Sequence, residues 1–188
     1  MWEFIRSLFG RRKPTPPRDA NCRDSAGSRE YTVREGNAAP VDQAFKAWTS
    51  GDLPRMLNAL GKKTNLVDRH FLLMNLVAET YRLRSDPEMA ERCLEVAQIH
   101  VGEFRAIAPV LKREMNGILP RVPTFQHFAT LLAERGQFES AIRVCEQAIA
   151  YGLSDGSKGG FEGRIERIKK QQAKRDKVIR AEPKPEVR

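Results

Sequence analysis

The side chains able to do chemistry are few and far apart. Histidines stand at 70, 100 and 127 and cysteines at 22, 93 and 145. No two histidines are four apart on one helix face, and no cysteine lies at metal-ligand spacing from any of them, so no metal site is expected. Cys145 with His127 is one nucleophile–base pairing to weigh, and it would need both groups to face a pocket. Against it, Cys93 and Cys145 fall on apolar helix faces, where a thiol acts as a small hydrophobe. The glycine-rich, basic run GLSDGSKGGFEGR (152–164) lacks the order of a phosphate loop, and no strand precedes it. It reads as a turn, with Gly152 ending one helix in a left-handed cap, Asp155-Gly156 turning the chain, and a new helix beginning after Gly160. Neither a catalytic residue nor a cofactor is expected, and the histidines read as solvated or hydrogen-bonded helix residues.

The elements that would position these residues are helical. The 188 residues are 40% hydrophobic and 30% charged, a balance suited to a surface-rich helical domain. No apolar run approaches the roughly 20 residues that cross a bilayer, and the basic start lacks the core of a secretory signal. Three cysteines, an odd number without a C-x-x-C, fit a reducing, cytoplasmic setting. The net charge of +9 lies mostly at the ends: +3 in residues 1–36 and +5 in residues 161–188, against +1 between them. A folded nucleic-acid-binding surface would carry its basicity in the middle.

Four segments follow. Residues 1–13 place Trp2, Phe4, Ile5, Leu8 and Phe9 on one helical arc, backed by Arg6, Arg11, Arg12 and Lys13. Three fates are open to this segment: weak, reversible contact with an anionic membrane surface, docking on the protein or a partner, or disorder. Residues 14–37, rich in Pro, Ser, Arg and acids, are expected to be a disordered linker. Residues 38–172 read as helices throughout, with breaks at 49–54, 84–88, 116–123, 135–137 and 152–160 and no alternation that argues for a strand. Phe161, Ile165 and Ile168 open a last amphipathic helix that turns charged on all sides beyond Lys169, and 173–188 is a basic, partly disordered tail.

A period relates the helices. Ala44 and Ala78 stand 34 residues apart and Ala78 and Ala129 stand 51 apart, one and a half periods. In the last unit Phe128, Ala129, Leu132, Gly136, Phe138, Ala141, Cys145 and Ala148 complete the pattern. This resembles the tetratricopeptide repeat. The resemblance implies an all-α fold, a short solenoid of helical hairpins at about 37–70, 71–104 and 122–155, with a half-unit at 105–121 and a C-terminal capping helix. Departures include Met56 and Lys63 in place of alanines, Ser85-Asp86-Pro87 in place of a turn glycine, and Pro109, where a helix either begins or kinks. An irregular helical bundle is the other reading.

The resemblance also implies a function, a non-enzymatic scaffold or adaptor that holds a protein or peptide partner on its concave face. Positions matching the family's carboxylate clamp read Val41, Phe45, Leu76, Pro123 and His127, so the clamp is missing. The concave-face residues are Phe45, Asn75, Glu79, Arg82, Gln126, Thr130 and Glu134. The alternative is a nucleic-acid-associated protein using Arg164, Arg167, Lys169, Lys170, Lys174, Arg175, Lys177 and Arg180 of the C-terminal helix.

Overall fold

The computed structural model describes residues 30–181. The amphipathic segment 1–13, the first part of the expected linker and the end of the basic tail lie outside the described residues. Within them the chain forms a two-stranded sheet followed by seven helices, so the all-α expectation holds apart from one hairpin. Strands β1 (Tyr31–Arg34) and β2 (Asn37–Pro40) pair antiparallel. Glu35 and Gly36, both at positive φ, make the tight turn between them, as the twist of a two-residue hairpin requires. This corrects two expectations, a linker running to residue 37 and an absence of strands. The strands are short and mostly exposed, and their order comes from one buried anchor rather than from a patterned face.

That anchor is Arg34, 5% exposed. Its guanidinium donates through Nε and Nη2 to Oδ1 of Asp68 at 3.2 and 2.6 Å. Trp48 Nε1 donates to the same oxygen at 3.0 Å, and Asn65 Nδ2 donates to Oδ2 at 2.5 Å. Asp68 is fully buried, and this ring of donors is what makes its charge tolerable there.

Helices α1 (Gln43–Ser50) and α2 (Leu53–Ala59) form a short hairpin, each opened by an aspartate N-cap, Asp42 and Asp52. Next come α3 (Leu66–Arg82), capped by Asn65, and α4 (Pro87–Glu114), capped by Asp86. The break between α2 and α3, at Gly61–Asn65, was not foreseen. Pro109 lies inside α4, which neither starts there nor stops, so the half-unit expected at 105–121 is instead the end of one 28-residue helix. Helices α5 (Pro123–Glu134) and α6 (Phe138–Ala150) make the third hairpin, and α7 (Gly160–Ala181) closes the chain. The first helices adjoin, α1 against α3 and α3 against α5, while α4 packs between α3 and α5, and α7 packs on α6.

Two glycines do turn work that the sequence signals. Gly136 turns the α5–α6 hairpin at φ 74°, and a Cβ there would fall 1.5 Å from the Arg175 guanidinium lying across it from α7. Gly152, at φ 71°, ends α6, with Leu153 N–H returning to Ala148 O at 2.9 Å, the left-handed cap expected. Ala44, Ala129, Ala141 and Ala148 are fully buried, as contact points between helices should be. Ala78 is exposed, however, and the buried face of α3 is carried by Leu72, Leu73, Leu76, Val77 and Thr80. On α7 Phe161 and Ile168 are buried, and beyond Lys169 nearly every described side chain is exposed, as expected.

Replacing Asp68 by alanine leaves the buried Arg34 guanidinium without its carboxylate. The expected loss is about 3–5 kcal/mol of unfolding free energy, read from the urea midpoint. A loss below about 1 kcal/mol would show that the pair is solvated and holds nothing.

Candidate functional site

Besides the Asp68 cluster, two polar constellations interrupt the apolar packing, one inside the core and one at its surface. The inner one joins α3, α4 and α5. His70 Nδ1 meets His100 Nε2 at 3.0 Å, and His100 Nδ1 meets Thr124 Oγ1 at 2.8 Å. All three side chains are fully buried, and His70 Nε2 has no hydrogen-bond partner. A bare lone pair costs less than a bare N–H in an apolar setting, so the consistent direction has His70 Nδ1–H donating to His100 and His100 Nδ1–H donating to Thr124. Burial holds His70 down to about 3, and burial together with His70 and Arg69 holds His100 well below the usual 6.5. Both rings are neutral and walled by Phe71 and Phe104. Their separation of 30 residues gave no sequence signal of this contact. The pair is fully buried and reads as a core element with one unpaired nitrogen, His70 Nε2.

The outer constellation lies where the end of α3 meets α5 and α7. The Tyr81 ring stacks on His127, centroids 4.0 Å apart, and the Arg84 guanidinium covers the opposite ring face at 4.1 Å. Arg84 also stands 3.8 Å from the Glu134 carboxylate. One turn back, Arg164 of α7 donates to Thr130 Oγ1 at 2.9 Å while Asp155 grips it at 3.0 Å. Arg121, before α5, donates to Gln126 Oε1 at 2.7 Å. Although burial works against it, the hydrogen bonds from Ser157 and Arg164 hold the Asp155 carboxyl below its ordinary range. Burial, then Arg121, Arg84 and Arg164, lower His127 to about 4, so its ring is neutral at physiological pH. Burial raises the Tyr81 phenol. The result is a half-exposed aromatic stack rimmed by arginines.

Three of the expected concave-face residues, Gln126, Thr130 and Glu134, belong to this rim. Glu79 and Arg82 form their own surface ion pair at 2.7 Å on α3. Phe45 is turned toward the hairpin, under the Arg34 guanidinium at 5.3 Å and edge-on to Trp48. Asn75 is 8% exposed and packs inside, out of a partner's reach. Tyr81 and Arg84 are not among the expected concave-face residues, and His127 appears there only as a position where the clamp is missing. Tyr81 lies one turn beyond Ala78, and only α3 and α5 lying side by side brings it to His127.

The outer site holds no group poised for nucleophilic or acid–base work near neutral pH. No hydrogen bond joins Cys145 to His127, and burial pushes the Cys145 thiol up to about 11 and raises Cys93 as well. What the site offers is recognition: a flat aromatic pair, guanidinium donors and hydroxyl and amide acceptors. Among the described residues no group of histidines, cysteines and carboxylates has metal-binding geometry, and no helix is long and apolar enough to cross a membrane. Comparison with protein-family models, curated proteins and solved structures gave no match.

The inner histidine pair makes stability pH-dependent. Unfolding restores ordinary pKa values, so between about pH 6.5 and 3 the unfolded chain binds more protons than the folded one. Stability is therefore intact above 6.5 and falls as the pH drops through that window, by up to about 1.4 kcal/mol per pH unit for each histidine. The double variant His70→Leu/His100→Leu is expected to show a shallower fall between pH 6.5 and 5, with His127 supplying the remainder. An unchanged slope in calorimetry would place the titration elsewhere.

Proposed function

We propose that this chain is a non-enzymatic scaffold or adaptor. In this reading its helical hairpins form a short tetratricopeptide-like solenoid, with α7 as the capping helix, and the adjoining first helices α1, α3 and α5 form the receiving face. The observation that carries it is the half-exposed Arg84–Tyr81–His127 stack between α3 and α5, rimmed by Gln126, Thr130 and Glu134. Tyrosine and arginine are the residues that most often anchor protein interfaces, because they bring large, stiff contact area with polar tips. A protein or peptide segment with an apolar ridge and polar flanks suits this surface. The side-by-side first helices and the buried Ala44, Ala129, Ala141 and Ala148 support the repeat reading. The seven- and eight-residue helices of the first hairpin, the 28 residues of α4 and the exposed Ala78 are its departures. A cytoplasmic setting, with peripheral membrane contact through Trp2, Phe4, Ile5, Leu8 and Phe9, belongs to the same proposal.

The second reading, association with nucleic acid, draws on the exposed Lys169, Lys170, Lys174, Lys177 and Arg180 of α7. Arg164 no longer counts toward it, since Asp155 and Thr130 hold it. Retention on a nucleic-acid column that disappears when these five are neutralised would favour this reading over the adaptor.

The adaptor reading is tested by affinity capture from the native source, comparing the parent chain with Tyr81→Ser and Arg84→Glu. Truncating an anchor of this kind costs about 2 kcal/mol or more of binding, so recovery of specific partners is expected to fall about thirtyfold. Recovery of the same partners in equal amounts by both folded variants would sink the proposal.

A further inference from the structure

A different surface carries a basic cleft that shares no residue with the Tyr81–His127 stack. On α1, Gln43, Lys46 and Ala47 lie at positions i, i+3 and i+4, on α2 Arg55, Asn58 and Ala59 lie at i, i+3 and i+4, and Lys62 follows in the turn beyond α2, where its N–H donates to Ala59 O at 3.0 Å. Each set therefore occupies one face of its helix. Together they line a cleft of about 550 Å³ along the outer side of the first hairpin. Its floor is the small pair Ala47 and Ala59, both 4% exposed. Its rim is Lys46, Arg55 and Lys62, all exposed, with the side-chain amides of Gln43 and Asn58 between them. No carboxylate lines the cleft, and among the described residues none of the three cations has an ion-pair partner. Elsewhere the arginines that face neighbouring helices are matched, Arg69 with Glu103, Arg135 with Glu91 and Arg164 with Asp155.

We propose that this cleft is a docking site for an acidic peptide segment of a partner protein, its carboxylates spaced along the rim. The spacing of the cations decides the class of ligand. Arg55 stands in the first turn of α2 and Lys62 beyond its last residue, Ala59, while Lys46 stands on the other wall, so the three cations are spread along the cleft. A single phosphate is too small to reach all three, whereas Asp and Glu side chains distributed over two turns of peptide can meet each in turn. The small floor gives the peptide's backbone a close approach, and the two amides supply donors for its remaining carboxylate lone pairs. A nucleic-acid strand would want a longer basic track and aromatic platforms for its bases. The cleft has no aromatic lining. The ends of this chain are themselves net basic, by +3 and +5, and so are poor occupants.

The test uses the full-length protein and a fluorescent twelve-residue Glu/Asp-rich peptide followed by anisotropy, with a Gln/Asn peptide of the same length as control. Binding of the acidic peptide alone is expected, weakening as salt rises. In Lys46→Gln/Arg55→Gln/Lys62→Gln, three exposed side chains whose loss leaves the core intact, affinity is expected to fall about tenfold, the sum of three ordinary exposed pairs. Neutralising Lys169, Lys170 and Lys174 instead removes the same charge and is expected to leave affinity within about twofold. Because Arg84→Glu alters the other surface, it too is expected to bind the peptide normally. An equal loss in the α7 variant would reduce the effect to net charge and overturn the proposal. So would unchanged binding by the cleft variant, a tighter complex with an oligothymidylate of equal charge, or self-association in sedimentation that the cleft variant abolishes.

Discussion

A carboxylate buried in the first turn of α3 sets the terms for the N-terminal half of this protein. Asp68 has no solvent of its own, so every lone pair must be met from inside, and the donors come from three places: the β-hairpin through Arg34, α1 through Trp48, and the cap of its own helix through Asn65. Removing a carboxylate from water costs several kcal/mol, and that cost is offset only when the partners arrive together. The hairpin is therefore ordered although its strands are short and expose Tyr31 and Val33. The same oxygen holds the Trp48 indole, whose ring stacks on Phe71 at 4.9 Å. From there rings continue through His70 and Phe104 to Phe125 and Tyr151, so aromatic packing runs from the first hairpin to the end of α6.

The histidines within that row show how a polar group survives in an apolar core. His70 and His100 satisfy each other and Thr124, and they stay neutral because nothing nearby would stabilise a cation. At the surface the same residue type does something else: His127 is kept neutral in part by three arginines, which leaves a flat ring free to stack while the charges stand at its edge. Protonation is suppressed at both places, by burial above all, with repulsion from the arginines adding to it at the surface.

The sequence revealed the helices more clearly than their partners. Caps and breaks were legible wherever Gly, Pro or Asp punctuated an apolar pattern, as at Gly51-Asp52, Ser85–Pro87 and Gly152, and the division of α7 at Lys169 followed from its change of composition. The turn at Gly61–Asn65 was hidden because GKKT reads equally well as the exposed face of a longer helix. Pro109 admits either a helix start or a kink within one, and the start is excluded because α4 runs through it. The hairpin was invisible because an arginine in a polar segment signals solvent, and its burial depends on an aspartate 34 residues away. Of the expected binding face, Gln126, Thr130 and Glu134 lie along one side of α5, whereas Asn75 and Phe45 are claimed by the interior and by the hairpin, since helical phase locates a face only to within a residue or so.

The length of α4 has a consequence for how the molecule comes apart. In a row of separate helical pairs, one end can peel away while the other stays folded, because each pair touches only its neighbours. Here one helix of 28 residues touches Arg135 near its start through Glu91, Phe125 and Tyr151 at its middle through Phe104, and Glu35 of the hairpin at its end through Arg113. Because its buried middle is shared by neighbours on either side, opening one end is expected to loosen packing along the same helix, and the domain is expected to come apart more cooperatively than a row of separate pairs.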